Sequence, residues 1–209
     1  RFEITQVASS ATRYPAIRAT ANCSILLWGA QVEAGSNATS YIPTVASSVT
    51  RNQDVISKTG ISGLIGQTEG TMFVELNLRN LLGNVNRRIL CISNNNSASE
   101  NIQLTFTSSL TNTIRAVVAT GGNFPLITSS QITNIGKIKI ALSYSAVNVK
   151  LYINGIKQGI DLGEVAKPIL NSIQLGSLNN ADYLNDGINS VQLYKTALTD
   201  EQCINLTTI

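Results

Sequence analysis

Residues 137–160, KIKIALSYSAVNVKLYINGIKQGI, decide the fold class. From Lys137 to Tyr144, apolar residues take every second place. Ile138, Ile140, Leu142 and Tyr144 share one face, and Lys137, Lys139 and Ser143 lie outward. Side chains of a strand point alternately to its two faces, so this period predicts a half-buried β-strand. Val147, Val149, Leu151 and Ile153 carry the pattern into the next strand, and Ile156–Ile160 returns. Between them stands Asn154-Gly155, the pair that best tolerates positive φ at both centres of a two-residue turn. A tight type I′ hairpin is predicted there.

The alternation spreads outward from that hairpin. Thr71–Arg79 aligns Met72, Val74, Leu76 and Leu78, and Asn101–Thr107 aligns Ile102, Leu104 and Phe106. Ile173 with Leu175, and Val191 with Leu193, mark further strands. Short strands parted by Gly, Asn and Ser clusters are the pattern of a β-sandwich. About nine or ten are expected between Val55 and Lys195, more than the seven of an immunoglobulin-type sandwich. The prediction is therefore an all-β protein, an antiparallel sandwich of the larger jelly-roll type. Composition agrees: only 13% of the 209 residues are charged, whereas long helices draw on Glu, Lys, Ala and Arg.

One short C-terminal helix is predicted. Thr199-Asp200-Glu201-Gln202 forms a capping box, and its two acids complement a helix N-terminus. Cys203, Leu206 and Ile209 would be its buried stripe. The first 50 residues read differently. Arg1–Ala21 is weakly patterned, and Ile25–Val32 forms a single strand with Leu26, Trp28, Ala30 and Val32 on one face. A lone strand needs a partner from elsewhere, and Trp28 reads as packing or interface. The chain opens on Arg1 rather than methionine, so it reads as a piece of a longer protein.

Several function classes are excluded or disfavoured. The chain has no histidine, which removes the commonest general base, the His-dependent nucleophile triads and the usual zinc sites. Carboxylates spaced for glycoside hydrolysis on one strand face are missing, and Glu75 stands alone on its strand. The net charge is +3 without a basic stripe, so no nucleic-acid partner is expected. No apolar run approaches the ~20 residues of a membrane helix. The opening RFEITQVASS lacks the apolar core of a signal peptide. Three cysteines (Cys23, Cys91 and Cys203) are odd in number and far apart, which is not a disulfide framework. Cys91, inside RILCIS, reads as a small core residue.

The best candidate for chemistry is the loop Asn179–Asp186, NNADYLND. Asn179, Asn180, Asp182, Tyr183, Asn185 and Asp186 bring amides, carboxylates and a ring into eight residues. Planar amides and carboxylates hydrogen-bond sugar hydroxyls, and a ring stacks on a pyranose. Such oxygens also suit calcium. The same composition is that of a solvated, turn-rich loop, and both readings stand at this point. Asn94–Ser97 is a second polar tip that reads as a plain loop. Outward Lys137, Lys139 and Lys150 either meet acidic polysaccharide or guard a sheet from aggregation.

Three stretches, in order, resemble one family. The first is LWGAQVEAGSNATSYIPT, Leu27–Thr44, followed by SSVTRNQDVIS with Thr50, Arg51, Asp54 and Val55. The second is Lys139–Gly159. The third is IQLGSLNNADYLNDGINSVQLYKTALTDEQ, Ile173–Gln202. Together they are similar to the concanavalin-like, laminin-G-type C-terminal module of tailed-bacteriophage tail-fibre and tailspike-type virion proteins. The resemblance covers about half the chain. It implies a connector over residues 1–50 and a laminin-G-like sandwich over 51–209. It further implies a virion location, host surface polysaccharide and other tail proteins as partners, and a homotrimer with Ile25–Val32 at the subunit contact. Relatives often carry Asp and Glu where this chain has Asn189 and Ser190, which argues against a strong calcium site, and no other cofactor is expected. The leading expectation is non-catalytic recognition of host glycan. The alternatives are a purely structural virion component and, behind it, a polysaccharide-degrading enzyme.

Overall fold

The computed structural model describes residues 29–32, 40–50, 54–81, 85–179 and 181–209. The chain divides into two compact units, Arg1–Gln53 and Asp54–Ile209. In the first unit Gly29 has φ +71° with the Tyr41 ring beside it, and the Ile42 amide donates to Gln31 Oε1 at 2.8 Å. Residues 25–28 of the expected connector strand, Trp28 included, lie outside the described residues. Gly29–Val32 is in no strand.

The second unit holds eleven strands and one α-helix among its described residues. They are β1 (Ile56–Thr59), β2 (Gly70–Leu78), β3 (Arg87–Ser93), β4 (Asn101–Phe106), β5 (Thr113–Ala119), β6 (Leu126–Gln131), β7 (Gly136–Tyr144), β8 (Val149–Ile153), β9 (Ile156–Leu162), β10 (Ser172–Leu175), β11 (Gly187–Tyr194) and α1 (Asp200–Thr207). Two antiparallel sheets result, one ordered β1-β10-β3-β4-β5-β6 and the other β11-β2-β7-β8-β9. This is the sandwich that the alternation predicts. The count exceeds nine or ten because β1, ISKT, is exposed along its whole length and shows no apolar face.

The core is where the two inner faces meet. Met72, Val74, Leu76, Ile138, Ile140 and Leu142 from one sheet pack with Leu90, Ile92, Ile102, Leu104, Ile114 and Val118 from the other. Burying one such side chain contributes roughly 1.5–3 kcal/mol. β2 and β7 pair over nine residues without a bulge, Gly70 facing Tyr144 and Leu78 facing Gly136. At one end of that ladder the Tyr144 hydroxyl donates to Gly66 O at 2.8 Å. A side chain at Gly70 would collide with the Tyr144 ring, so the ring seats only against glycine.

The predicted hairpin forms. Asn154 and Gly155 have φ of 51° and 77°, and Ile153 faces Ile156 across the two-residue turn. Val147 is not part of the incoming strand. It is the exposed tip of a turn in which the Ser145 amide donates to Asn148 O at 2.8 Å, and Ser145 Oγ accepts from the Val147 amide at 3.3 Å.

The capping box also forms. Thr199 Oγ1 accepts from the Gln202 amide at 3.2 Å, and Gln202 Oε1 accepts from the Thr199 amide at 3.0 Å. α1 lies on the outer face of the five-stranded sheet, where Phe73, Ala141, Tyr152 and Cys203 form a second small core with partly buried Leu206. Two expectations fail here. Ser143, although on the outward face, is buried and donates to Leu198 O at 3.2 Å, because the approach to α1 covers it. Ile209 lies beyond the helix end and is exposed.

Charge fastens α1 to the sheet. Asp200 accepts from Lys150 Nζ at 2.5 Å and from Lys157 Nζ at 3.4 Å. The hydrogen bond from Lys150, with smaller help from the Lys157 charge, holds the Asp200 carboxyl at about 2. A lowered carboxyl pKa stabilises the folded state above the unfolded-state value, and that contribution is lost as pH falls through the folded value. Wild type should therefore lose stability between about pH 4 and pH 2. Asp200→Asn should flatten that limb, as read by Tm against pH. Thr199→Ala should cost about 1 kcal/mol in urea unfolding at neutral pH.

Candidate functional site

The loop Asn179–Asp186 is held down by its own polar groups. Leu178 and Ala181 exchange backbone hydrogen bonds of 3.2 and 3.0 Å, which closes a tight turn. Leu184 is buried in the core, and its amide donates to Gly176 O at 2.8 Å. Asp182, at φ 53°, accepts from Arg88 twice: Nε donates to its carboxylate at 3.1 Å and the backbone amide to its carbonyl at 2.8 Å. Arg87 Nη1 donates to Tyr183 O at 2.8 Å. Asp186 Oδ1 accepts from the Arg79 amide at 2.9 Å. Tyr183 is half-buried, Asn179 and Asn185 are exposed, and Asn180 lies outside the described residues. Of the described polar side chains in the loop, then, Asp182 and Asp186 already have protein partners, and the two amides face water.

Asp182 links this loop to the outer face of the six-stranded sheet. Its partner Arg88 also donates from Nη1 to Gln103 Oε1 at 2.8 Å. Arg88 faces Thr105 across β3–β4, just where a bulge separates Arg88 from Leu90. Core residues on these strands point inward, so their neighbours point out. The register places them in cross-strand rows. Gln174, Cys91, Gln103 and Val117 form one row, and Arg88, Thr105, Arg115 and Thr128 form the next.

This face is polar yet largely buried. Gln174 is 3% exposed, Gln103 6%, Thr105 5% and Cys91 0%. Gln174 Oε1 and Arg115 Nε are buried with no hydrogen-bond partner. A desolvated polar atom without a partner costs about 1–3 kcal/mol, and the described residues hold others elsewhere, Tyr152 Oη and Asp161 Oδ1 on the five-stranded sheet among them. Burial pushes the Cys91 thiol up to about 12, which keeps it protonated and not nucleophilic.

These residues escape sequence reasoning because they look like ordinary outward strand positions. One signal is present: the tripeptide IQL occurs at Ile102–Leu104 and again at Ile173–Leu175, and the two glutamines flank Cys91 in one row. Elsewhere, Glu75 sits 3.5 Å from Lys137 Nζ and accepts from Asn189 at 3.3 Å on the other sheet. Among the described residues, no three His, Cys, Asp or Glu side chains gather as metal ligands. The Asn94–Ser97 tip is tied to β10, since the Asn95 amide donates to Asn171 Oδ1 at 2.7 Å and the Asn96 amide to Ser172 Oγ at 3.0 Å.

No family model and no curated protein matches the sequence. Solved structures match the fold at low identity. The CBM40 of the Ruminococcus gnavus IT-sialidase is 15% identical with a TM-score of 0.56, over 74% of this chain and 97% of that one. Domain 4 of a GH43 extracellular arabinanase from Geobacillus stearothermophilus, in complex with arabinotriose, is 20% identical with a TM-score of 0.52, over 70% and 69%. Botulinum neurotoxin type C is 13% identical with a TM-score of 0.54, over 70% of this chain and 37% of that one. The chain shares the β-sandwich jelly-roll architecture of these proteins.

The Arg88–Asp182 pair is partly exposed, with side chains 22% and 33% accessible, so its net contribution to global stability is small. Its local effect should be larger. Asp182→Ala is expected to raise amide exchange across Ala181–Leu184 severalfold, while the urea midpoint moves by less than about 1 kcal/mol equivalent.

Proposed function

We propose that this chain is a non-catalytic glycan-recognition module of a tailed-phage virion, of tail-fibre or tailspike type, that engages host surface polysaccharide. The carrying observation is the jelly-roll sandwich itself, whose architecture this chain shares with modules seen holding sialyllactose and arabinotriose. Sugars present many hydroxyls, and exposed amides such as those of Asn179 and Asn185 match them by hydrogen bonding. The named folds that this chain resembles support the class. One comparison structure is a CBM40 bound to α2,3-sialyllactose, at a TM-score of 0.54, and another holds arabinotriose. The virion assignment rests on the resemblance of Leu27–Thr44, Lys139–Gly159 and Ile173–Gln202 to the phage module. With it come residues 1–50 as connector, 51–209 as sandwich, and a homotrimer. Three weak sites on one trimer would bind a polysaccharide by avidity. Asn179, Asn180, Asp182, Tyr183, Asn185 and Asp186 form the rim in this reading, and no calcium is required.

The second reading is a structural virion component that binds only tail proteins. The absence of an aromatic ring from the two rows of the outer face favours it, because rings supply stacking on sugars. Host polysaccharide titrated into the native protein separates the two. We expect millimolar to micromolar binding per site, reduced about tenfold by Asn185→Gly, which removes an exposed amide and keeps its positive-φ backbone. No binding of any sugar, together with tight binding to a tail protein, would favour the structural reading. Release of reducing ends from the polysaccharide would overturn the non-catalytic assignment.

A further inference from the structure

We infer that Asn154-Gly155 is a self-modification site, an asparagine set to deamidate through its neighbour's backbone amide, and that the last turn of α1 keeps it shut. The inference is independent of what the module binds. Asn-Gly occurs once in the chain. Glycine carries no Cβ, so no side chain hinders the approach to its nitrogen. In the reaction the Gly155 nitrogen loses its proton and bonds to Asn154 Cγ, and the Cγ–Nδ2 bond breaks. The side-chain nitrogen takes up the proton and leaves as ammonia, and a cyclic succinimide remains. Water then opens either carbonyl of the ring, which gives aspartate or isoaspartate. Water is the only co-reactant, and nothing is oxidised or reduced.

The folded chain blocks the first step in three ways. The Gly155 amide donates to Thr207 Oγ1 at 3.1 Å. That oxygen is fixed as an acceptor, because its own proton goes to Cys203 O at 2.8 Å and Thr207 is fully buried. Base from solvent cannot reach the Gly155 proton while α1 is seated. Asn154 is pinned as well. Its Oδ1 accepts from the Lys139 amide at 2.9 Å, and its own amide donates to Lys139 O at 3.0 Å. Cγ cannot swing onto the Gly155 nitrogen without breaking the first of these bonds. The third block is steric. Thr208 Oγ1 lies 3.1 Å from where a Cβ on Gly155 would stand, so α1 fills the space beside the turn. Lys139 Nζ in turn donates to Thr208 O at 2.7 Å, so one residue holds both the asparagine and the helix end.

The same geometry gives the product a consequence. Isoaspartate adds a carbon to the main chain, and a two-residue turn with φ of 51° and 77° does not accommodate it. Ile153 would lose its place opposite Ile156, and Thr207 would lose the Gly155 amide. Loosening of α1 thus opens Asn154 to reaction, and reaction at Asn154 loosens α1.

The test follows the amide-to-acid mass gain and isoaspartate at Asn154 by peptide mapping of the native protein held in mildly alkaline buffer. The native chain should react at least about a hundredfold slower than the same chain in guanidinium chloride. Thr207→Val keeps the shape and removes the acceptor, and should speed the native reaction about fivefold, the equivalent of one lost hydrogen bond. Thr207→Ser should restore the slow rate. Near-UV circular dichroism establishes that each variant is folded. Hydrogen exchange of the wild type needs no variant: the Gly155 amide should open together with the Thr208 amide, which bonds Ile204 O at the end of α1. A Gly155 amide that exchanges freely beside a protected Thr208 amide would overturn the inference. So would a native rate equal to that in denaturant, or a folded Thr207→Val protein as slow as wild type.

Discussion

The ladder between β2 and β7 governs the rest of the molecule. Nine residues pair without interruption, from Gly70 opposite Tyr144 to Leu78 opposite Gly136. Because side chains alternate, a slip of one residue would turn every core side chain of both strands to the other face. The ring of Tyr144 locks the register at one end by seating on Gly70 and bonding Gly66 O. β11 on one side and β8 with β9 on the other inherit their positions from this pair. So does α1, whose small core is built on Phe73 and Ala141, the outward residues of the same two strands.

The two sheets are treated differently on their outer sides. The five-stranded sheet is covered by α1, fastened through Asp200, Lys150 and Lys157. The six-stranded sheet instead presents rows of glutamine, threonine and arginine around Cys91. Unpartnered buried atoms occur on both sheets, at Gln174 and Arg115 on one and at Tyr152 and Asp161 on the other, whereas the inner faces meet in an apolar core.

Much of the architecture was legible because its physics is local. Period two in Thr71–Arg79 and Lys137–Tyr144, positive φ at Asn154-Gly155 and the Thr199–Gln202 box each follow from residues a few places apart. β1 was not legible, since an exposed edge strand has no apolar face to betray it. The Asn179–Asp186 loop was legible as polar but not in what its polar groups do. Whether Asp182 and Asp186 are open depends on Arg88 and Arg79, about a hundred residues upstream. The outer face was missed for a related reason: an isolated Gln or Arg in a strand reads as solvent-facing, and only the assembled register shows Gln103, Gln174 and Arg115 on one buried surface.

The strand order also has a consequence for how the chain acquires its structure. Among the described residues β1 hydrogen-bonds only to β10, with Ile56 opposite Leu175, and β2 lies between β7 and β11, with Asn77 opposite Gly187. The six-stranded sheet therefore takes in β1 only after β10 exists, and β2, already paired with β7, keeps an open edge until β11 does. Closing such long loops before any contact rewards them makes folding slow. On the ribosome, the β2–β9 portion would have to wait with an open edge on each sheet until residues 172–194 emerge. Exposed edges invite pairing with other chains. The last forty residues thus act as a seam, and a chain released before they are made would be a candidate for aggregation rather than a smaller working domain.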